Sequence, residues 1–480
     1  MIVFIFNKNI VQRLSVNNIK IFFLFLLFSL QLFSGTLPYD LRERLSAYPM
    51  NKNNYSILIQ STHDSRPLAS WHAHKKRSPA SVIKLLTTYA SLVDLGYNYR
   101  WETKFYHTGS IQRGVLRGDL VVRASGDPTL KTRDVEKIVS KLRARGIRRV
   151  TGNIIIDKSI YRISSRNNSG FDRNRYSPYN AMPDALMFNQ RKSTVCVAPH
   201  GRKIYINKDV PDLSYKVINR LKVVNGSCRG SRAWPKLTIR KNTMIFSGKL
   251  SKHCPDRKVC KVITKPHLSF YYTLKKRMQK RGIKFSGRLK LKKTPRSAKY
   301  LFSHQSKTLE EIISVTAKKS NNLFARQLML TLGVKEYGKP GTLQKGRRGI
   351  EKILNRHHIL EKGTTFIENG SGLSRVSKIT ARSLGNLLLD GEKNYGQRWM
   401  NTLSIAGIDG TIRRRFARST VYGRAWMKTG TIRRVANIAG YVEGASGERY
   451  VVVVLVNDKY SARYGRRLAN TVIKWVADTQ

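Results

Sequence analysis

Acidic residues are scarce in this chain. Its 480 residues include 28 Asp plus Glu against 91 Lys plus Arg, which gives a formal net charge of +63 at pH 7. The basic excess is spread along the whole chain and does not form a single basic tail. A positively charged surface attracts polyanions. The candidates are a nucleic acid, an anionic membrane face and an acidic polymer of the cell envelope. The charge alone does not distinguish these partners.

Long hydrophobic runs are also few, and the clearest one is short. Lys8, Arg13 and Lys20 precede the uncharged run at residues 21–35. A basic flank, an apolar stretch of about 12–15 residues and small residues at its end are typical of a secretory signal peptide. A spanning helix needs roughly 20 residues. We therefore predict a signal peptide at residues 1–35, with an uncleaved anchor as the alternative, and a periplasmic mature chain.

Export narrows the choice of partner. An exported chain does not meet nucleic acid, so we expect no nucleic-acid partner. The negatively charged cell envelope becomes the expected polyanion, and the distributed charge predicts a peripheral electrostatic association with it.

Cysteine is rare as well, with only Cys196, Cys228, Cys254 and Cys260 in the chain. In an exported protein the default expectation is two disulfides, for which three pairings are possible. Cys254 and Cys260 are close enough in sequence to bridge each other, but the pattern leaves the pairing open. His253 adjoins Cys254, yet the spacing fits no C-x-x-C zinc template. We expect no metal and no other cofactor.

The apolar pattern predicts an α/β unit that is divided by an insertion. Strand, turn, strand and helix patterns follow one another before residue 98, with the second strand running through residues 68–74. Short strand-like runs then alternate with Gly- and Asn-rich turns at residues 99–297. Helical patterns return afterwards, and the chain ends as three strands and a helix. We therefore assign residues 36–98 and 298–480 to one domain and residues 99–297 to an inserted β-rich region.

Three short motifs carry the chemistry. They are Ser-x-x-Lys at 81–84, Ser-x-Asn at 320–322 and Lys-Thr-Gly at 428–430. Each alone is weak, because the chain is rich in lysine. All three in this order are the motifs of serine acyl-transfer enzymes that act on penicillin and on D-Ala-D-Ala peptides.

The first two motifs supply a nucleophile and proton carriers. Serine is a poor nucleophile until a base takes its proton. Ser81 and Lys84 are three residues apart, so they share one face of a helix. Burial near other cations would let Lys84 lose its proton near neutral pH and act as that base. Ser320 can then relay the proton to the leaving nitrogen.

The remaining positions suit substrate binding. Asn322 can hold the peptide amide, while Lys428 and Thr429 offer a charge and a hydroxyl to a terminal carboxylate. The N–H groups of Ser81 and Thr431 would form the oxyanion hole, where losing one donor typically costs about 100–1,000-fold in rate.

The chain resembles the class C low-molecular-mass penicillin-binding proteins, and among them the D-alanyl-D-alanine carboxypeptidases/endopeptidases with a large insertion between the first two motifs. The likeness runs from about residue 38 to the C-terminus and includes RSPASVIKLLTTYASL, GVLRGDLVVRASGDPTL, YNAMPDALMFNQ, ENGSGLSR and KTGTIRRVANIAGYV. It implies a serine penicillin-binding/β-lactamase-like fold, an antiparallel sheet with helices on both sides, split by the β-rich insertion. By the same resemblance Arg375 and Arg433 contact substrate carboxylates.

The resemblance also implies the substrate. The expected reaction is cleavage of peptidoglycan stem peptides and cross-links through an acyl-enzyme on Ser81, with β-lactam antibiotics as covalent inhibitors. The balance between carboxypeptidase and endopeptidase activity, the residue at position three of the stem and the oligomeric state stay open.

Two other functions are less consistent with the sequence. A β-lactamase is disfavoured by the long insertion, and the Glu351–Asn355 stretch that mimics a deacylating loop lies in a helical pattern. A non-catalytic basic envelope-binding protein would not need a paired serine and lysine. Two further features receive ordinary interpretations. A metal site at His72 and His74 would need more ligands nearby. The arginines at 413–415 are most simply a solvated charge run, with contact to peptidoglycan as the alternative.

Overall fold

The computed structural model describes residues 37–63, 67–163, 171–210 and 212–480. The predicted signal peptide therefore lies outside the described residues. Within them the α-helices are α1 Tyr39–Ser46, α2 Lys84–Leu95, α3 Thr132–Ala144, α4 Pro266–Lys280, α5 Leu309–Lys318, α6 Asn322–Tyr337, α7 Leu343–Arg356, α8 Ala381–Met400 and α9 Arg466–Thr479. The strands are β1 Tyr55–Ser61, β2 Pro67–Trp71, β3 Glu102–His107, β4 Ser110–Gln112, β5 Val115–Arg117, β6 Leu120–Arg123, β7 Arg149–Val150, β8 Ile154–Asp157, β9 Ser193–His200, β10 Lys203–Lys208, β11 Lys216–Val224, β12 Lys236–Arg240, β13 Thr243–Ser251, β14 Arg257–Lys261, β15 Lys284–Phe285, β16 Leu289–Leu291, β17 Lys299–Gln305, β18 Ser404–Ile405, β19 Ala425–Ile432, β20 Val435–Glu443 and β21 Arg449–Val456.

One antiparallel sheet joins the two ends of the chain. Its strand order is β18-β19-β20-β21-β1-β2. Because successive side chains of a strand point to opposite faces, β1 and β21 contribute side chains to two hydrophobic cores, one on each face of the sheet. Leu58 and Val453 pack with α2 and α5–α8, whereas Ile57 and Val454 pack with α1 and α9. The predicted antiparallel sheet with helices on both sides is confirmed.

The helical layer on one face depends on close packing and on well-capped helix starts. The α6 and α7 helices approach so closely that a Cβ atom added to Gly346 would overlap the carbonyl oxygen of Met329. Thr308 and Glu311 form a capping box at the start of α5, and Asn321 caps α6 through the N–H groups of its first turn. These two caps place residue 320 in the turn between α5 and α6. The Glu351 stretch lies inside α7, as expected.

The insertion builds its own sheets. A five-stranded sheet has the order β16-β8-β6-β3-β17, a four-stranded sheet has the order β15-β7-β5-β4, and two three-stranded sheets have the orders β10-β9-β14 and β11-β13-β12. The α3 and α4 helices close the core of the larger part, so the insertion is not purely β. Strand β17 pairs with β3. Strand β17 thus belongs to a sheet of the insertion although it lies beyond the predicted boundary at residue 297.

The expectation of two disulfides is wrong for the described residues. A disulfide joins Cys228 to Cys254, whose Cα atoms are 5.0 Å apart, whereas Cys196 and Cys260 are free. Strands β9 and β14 place Cys260 opposite Thr194, two residues from Cys196. Diagonal neighbours of this kind have Cα atoms about 7–8 Å apart, and a bridge needs Cβ atoms about 3.5–4.5 Å apart. Register therefore keeps the two thiols apart.

Candidate active site

The nucleophile sits in a tight turn just before α2. Residues Ala80–Ile83 form one 3-10 turn, and Ala80 has a φ of +46°, which an L-residue adopts only under constraint. A Cβ atom on Gly372 would overlap the Ala80 carbonyl oxygen, and one on Gly430 would lie 2.9 Å from the Ser81 nitrogen. The segments that contain Gly372 and Gly430 can therefore pack closely against the backbone of Ala80 and Ser81.

Two asparagines fix this turn to the sheet. Asn437 Nδ2 donates to the carbonyl oxygens of Ser78 (2.8 Å) and Pro79 (2.9 Å). Its Oδ1 accepts from the Val456 N–H at 2.9 Å, so one side chain ties β20, β21 and the turn together. Asn457 Oδ1 accepts from the Ser78 N–H at 2.6 Å. The position of the nucleophile is therefore set by the centre of the sheet.

Replacing Asn437 with alanine should lower the rate constant for acylation by penicillin by about 10–100-fold, because a displacement of about 1 Å can cost that much. Stopped-flow acylation kinetics, with circular dichroism to check the fold, provide the measurement. Asn386→Ala is the matched control, since Asn386 Nδ2 also donates to a backbone carbonyl, that of Ile359. Equal rates in the two variants would contradict a positioning role for Asn437.

Lys84 is completely buried at the centre of the site. Its Nζ lies 2.9 Å from Ser81 Oγ and 2.7 Å from Asn322 Oδ1, and it also donates to the Ser371 carbonyl oxygen. Burial lowers the pKa of Lys84 well below its ordinary value, and the nearby cations Lys428 and Arg326 lower that pKa further. A neutral amine with two N–H groups can donate to Asn322 and Ser371 and keep its lone pair for the Ser81 proton.

The second and third motifs meet on the other side. Ser320 has a φ of +49°, and its Oγ accepts from Lys428 Nζ at 3.2 Å. Lys428 is fully buried in β19 and also donates to the Thr429 carbonyl oxygen at 2.7 Å. Burial lowers the pKa of Lys428 to about 7. The amine can therefore exchange protons near neutral pH and still present a charge to a carboxylate.

The KM for a D-Ala-D-Ala peptide should rise about tenfold or more from pH 7 to pH 9. Only protonated Lys428 attracts the terminal carboxylate, and its pKa of about 7 means that this form is lost as the pH rises through that value. Initial rates across pH, resolved into kcat and KM, test this. Lys428→Met should have a high KM that no longer depends on pH. A flat KM in the unaltered protein would contradict the assignment.

A hydroxyl pair stands beside the third motif. Thr429 Oγ1 donates to Thr411 Oγ1 at 2.9 Å, and Thr411 belongs to the short turn Gly410–Ile412. Thr431 lies two residues further along β19, and its side chain is exposed to solvent. Sequence analysis assigned Thr411 no role, because it reaches the site through the folding of the segment that precedes β19.

The insertion also contributes to the site. Asn322 Nδ2 donates to the Tyr179 carbonyl oxygen at 3.2 Å, and Arg326 Nη1 donates to the Ala181 carbonyl oxygen at 2.8 Å. The Arg326 side chain is 1% exposed, and its Nε and Nη2 have no partner among the described residues. Sequence analysis missed Arg326. Its spacing of four from Asn322 on a helix was the available signal.

The two further arginines do not join the motif residues. The Arg375 guanidinium lies 4.6 Å from the centre of the Phe171 ring and is exposed. Arg433 is exposed in the turn between β19 and β20, and neither arginine bonds to a motif residue within the described chain. Their contacts with substrate stay predictions. In the run at 413–415, Arg415 is half-buried and donates to Asn470, so it is not a solvated charge.

The histidine pair is not on a strand. The predicted strand through residue 74 ends at Trp71, and His72 and His74 lie in the turn after it. His74 Nδ1 contacts the Glu361 carboxylate, so the two imidazoles do not form a shared site. The described part of the chain holds no group of three or more side chains suited to a metal ion.

Comparison with known proteins supports the resemblance along nearly the whole chain. D-alanyl-D-alanine carboxypeptidase DacB of Haemophilus influenzae is 24% identical over 443 residues, 91% of each protein. The D-alanyl-D-alanine carboxypeptidase of an Actinomadura species is 25% identical over 448 residues, 89% of this chain and 82% of that protein.

The solved structures agree on the fold. The crystal structure of penicillin-binding protein 4 (dacB) from H. influenzae has a TM-score of 0.76 at 24% identity, covering 90% of this chain and 99% of that one. The sequence profile of the D-Ala-D-Ala carboxypeptidase 3 family, S13, matches residues 37–479. With all but the ends of its sequence matched in this way, the chain belongs to the D-Ala-D-Ala carboxypeptidase 3 (S13) family.

Proposed function

We propose that this chain is exported and cleaves both the terminal D-Ala-D-Ala bond of peptidoglycan stems and their cross-links, through an acyl-enzyme on Ser81. Its family makes it a serine-type D-Ala-D-Ala carboxypeptidase. The observation that best supports the residue roles is the buried Lys84 amine, 2.9 Å from Ser81 Oγ, with its pKa held low by burial and neighbouring cations.

Acylation follows from this geometry. Lys84 takes the Ser81 proton as Oγ attacks the carbonyl carbon of the penultimate D-Ala. The N–H groups of Ser81 and Thr431 hold the resulting oxyanion. The C–N bond then breaks, and the leaving amine receives a proton relayed from Lys84 or Lys428 through Ser320. Water attacks the ester in the second half, by the same proton route in reverse, and releases the shortened stem.

Residues of β19 and α6 orient the substrate. Lys428 and Thr429 face the terminal carboxylate, and Asn322 holds the amide on the acyl side. A β-lactam presents a carbonyl and a carboxylate in the same relation, so we propose that penicillin acylates Ser81. The crystal structure of the H. influenzae relative in complex with a β-lactam, with a TM-score of 0.74 at 23% identity, shares this fold.

Digestion of intact cross-linked peptidoglycan, followed by mass identification of the products, tests the proposal. Release of free D-Ala reports carboxypeptidase activity, and conversion of dimeric to monomeric stems reports endopeptidase activity. A β-lactamase would instead turn penicillin over rapidly, and a binding protein would release nothing. Either of these last two results would overturn the proposal.

The charge of the chain has a separate proposed role at the cell wall. None of the described helices is both long and apolar enough to cross a bilayer. With a formal charge of +63, the chain has far more cations than one active site uses. We propose that peptidoglycan carboxylates and anionic envelope polymers hold the protein electrostatically.

Binding to isolated sacculi should therefore weaken sharply as salt is raised from low concentration to 1 M, where the Debye length falls from about 10 Å to about 3 Å. Turnover of a soluble D-Ala-D-Ala tripeptide should change much less, because Lys428 acts at contact distance from a buried position. Sedimentation and turnover are measured across one salt series. Constant binding together with collapsing turnover would contradict this role for the charge.

A further inference from the structure

A groove of about 560 Å³ opens beside the second motif, where the insertion meets α5 and α6. Ser320 and Asn322 line its inner end, and Tyr179 borders it. Its remaining wall is strongly basic. The cations that line it are Lys131, Arg133, Lys192, Lys307 and Lys319.

Most of these cations have no anionic partner among the residues that the structure describes. Glu311 is the one acid in the lining, and it is engaged by Lys307 and by the Thr308 N–H of its own capping box. Among the described ion pairs, none involves Lys131, Arg133, Lys192 or Lys319. Like charges that share a partly enclosed space repel each other unless an anion enters.

The cations also affect one another. Burial lowers the pKa of Lys131, and Arg133, Lys307 and Lys192 lower that pKa further, while Asp134 opposes them. The groups facing Lys131 from both sides of the groove are therefore mostly positive. A bound carboxylate would reduce the repulsion among these cations.

The wall on the insertion side is rigidly built. Asn189 donates its N–H to the Leu130 carbonyl oxygen (3.0 Å), and its side chain exchanges hydrogen bonds with Thr132. Asn189, Gln190 and Arg191 are three consecutive residues with φ between +47° and +59°. Such backbone strain persists only where the surroundings enforce it, and it is concentrated at functional sites. The two loops that hold Lys131 and Lys192 are thus locked together.

We propose that this groove is a subsite for the free carboxylates of the peptidoglycan stem, upstream of the scissile bond. The inference rests on the proposed function. A ligand in the groove contacts Ser320 and Asn322, so it lies directly beside the acylation site. The volume is within the range of about 300–1,000 Å³ that is typical of small-molecule binding sites. The enzyme therefore favours stems with free carboxylates over stems in which those groups are amidated.

The test uses two synthetic pentapeptide stems that differ only at the γ-linked glutamate, with its α-carboxyl either free or amidated. In the full-length mature protein, kcat/KM should be about tenfold higher for the free acid, since a charge-assisted hydrogen bond contributes about that much. The triple variant Lys131→Gln, Arg133→Gln, Lys192→Gln should bring the ratio of the two kcat/KM values close to 1.

A control variant removes the same charge elsewhere. Lys236 and Lys249 are exposed on the small sheet β11-β13-β12, and Lys252 is exposed in the turn after β13. Their replacement by glutamine should leave the ratio at its original value. A ratio near 1 in the unaltered protein, or an equal fall in both triple variants, would overturn the subsite alone. Absence of D-Ala release from both peptides would overturn the proposed function, and the subsite with it.

Discussion

Replacing Ser81 with alanine is expected to abolish covalent labelling by penicillin and to lower D-Ala-D-Ala cleavage by about 10,000-fold or more. The Oγ atom is the hydroxyl that lies 2.9 Å from the buried Lys84 amine, and without it no ester can form. Intact-protein mass spectrometry after incubation with penicillin reads out the adduct. Residual turnover comes only from binding and from the oxyanion donors, which remain.

Ser78→Ala is the matched control. Ser78 lies in the same segment, but the contacts that hold it use its backbone N–H and carbonyl oxygen, which alanine keeps. We expect normal labelling in this variant. A folded Ser81→Ala protein that still forms the adduct would show that another residue is the nucleophile.

Replacing Lys84 with methionine should slow acylation by about 1,000–10,000-fold, because the change removes the base and leaves its volume filled. Substrate binding should persist, since Lys428 and Thr429 stay in place. Single-turnover acylation gives the rate, and equilibrium binding of a D-Ala-D-Ala peptide gives the affinity. A loss of binding as large as the loss of rate would instead indicate a structural role for Lys84.

Lys335→Met provides the comparison for this change. Lys335 is exposed on α6, so the same substitution there should leave acylation within about twofold of the unaltered rate. Near-normal acylation in Lys84→Met would move the base elsewhere, and Ser320 would be the first candidate.

The parts of the site that sequence analysis found are those in which chemistry restricts the residue type. A serine nucleophile and a lysine base that lie one helical turn apart produce the pattern Ser-x-x-Lys. A strand that binds a carboxylate at close range requires a small residue such as Gly430. The antiparallel sheet with helices on both sides was implied by the family resemblance, and the almost complete burial of the strand at Arg449–Val456 agrees with it.

The parts that were missed depend on long-range folding. Thr411 and Arg326 reach the site through packing between segments that are far apart in the chain, and neither belongs to a short motif. The expectation of two disulfides failed for a related reason, since the register of β9 and β14 separates Cys196 from Cys260. The basic groove is likewise a product of two units in contact, because its cations come from both.

The pairing of β1 with β21 bears on the order in which the parts of the chain can fold during synthesis. Residues Tyr55–Ser61 find their partner in Arg449–Val456, so the central sheet cannot close until nearly the whole chain has emerged. The sheets of the insertion draw only on residues 102–305 and can assemble earlier. Asn437 and Val456, which fix the nucleophile turn, arrive with the last strands. A ribosome-bound chain therefore has no formed active site, and catalytic activity develops only after its release.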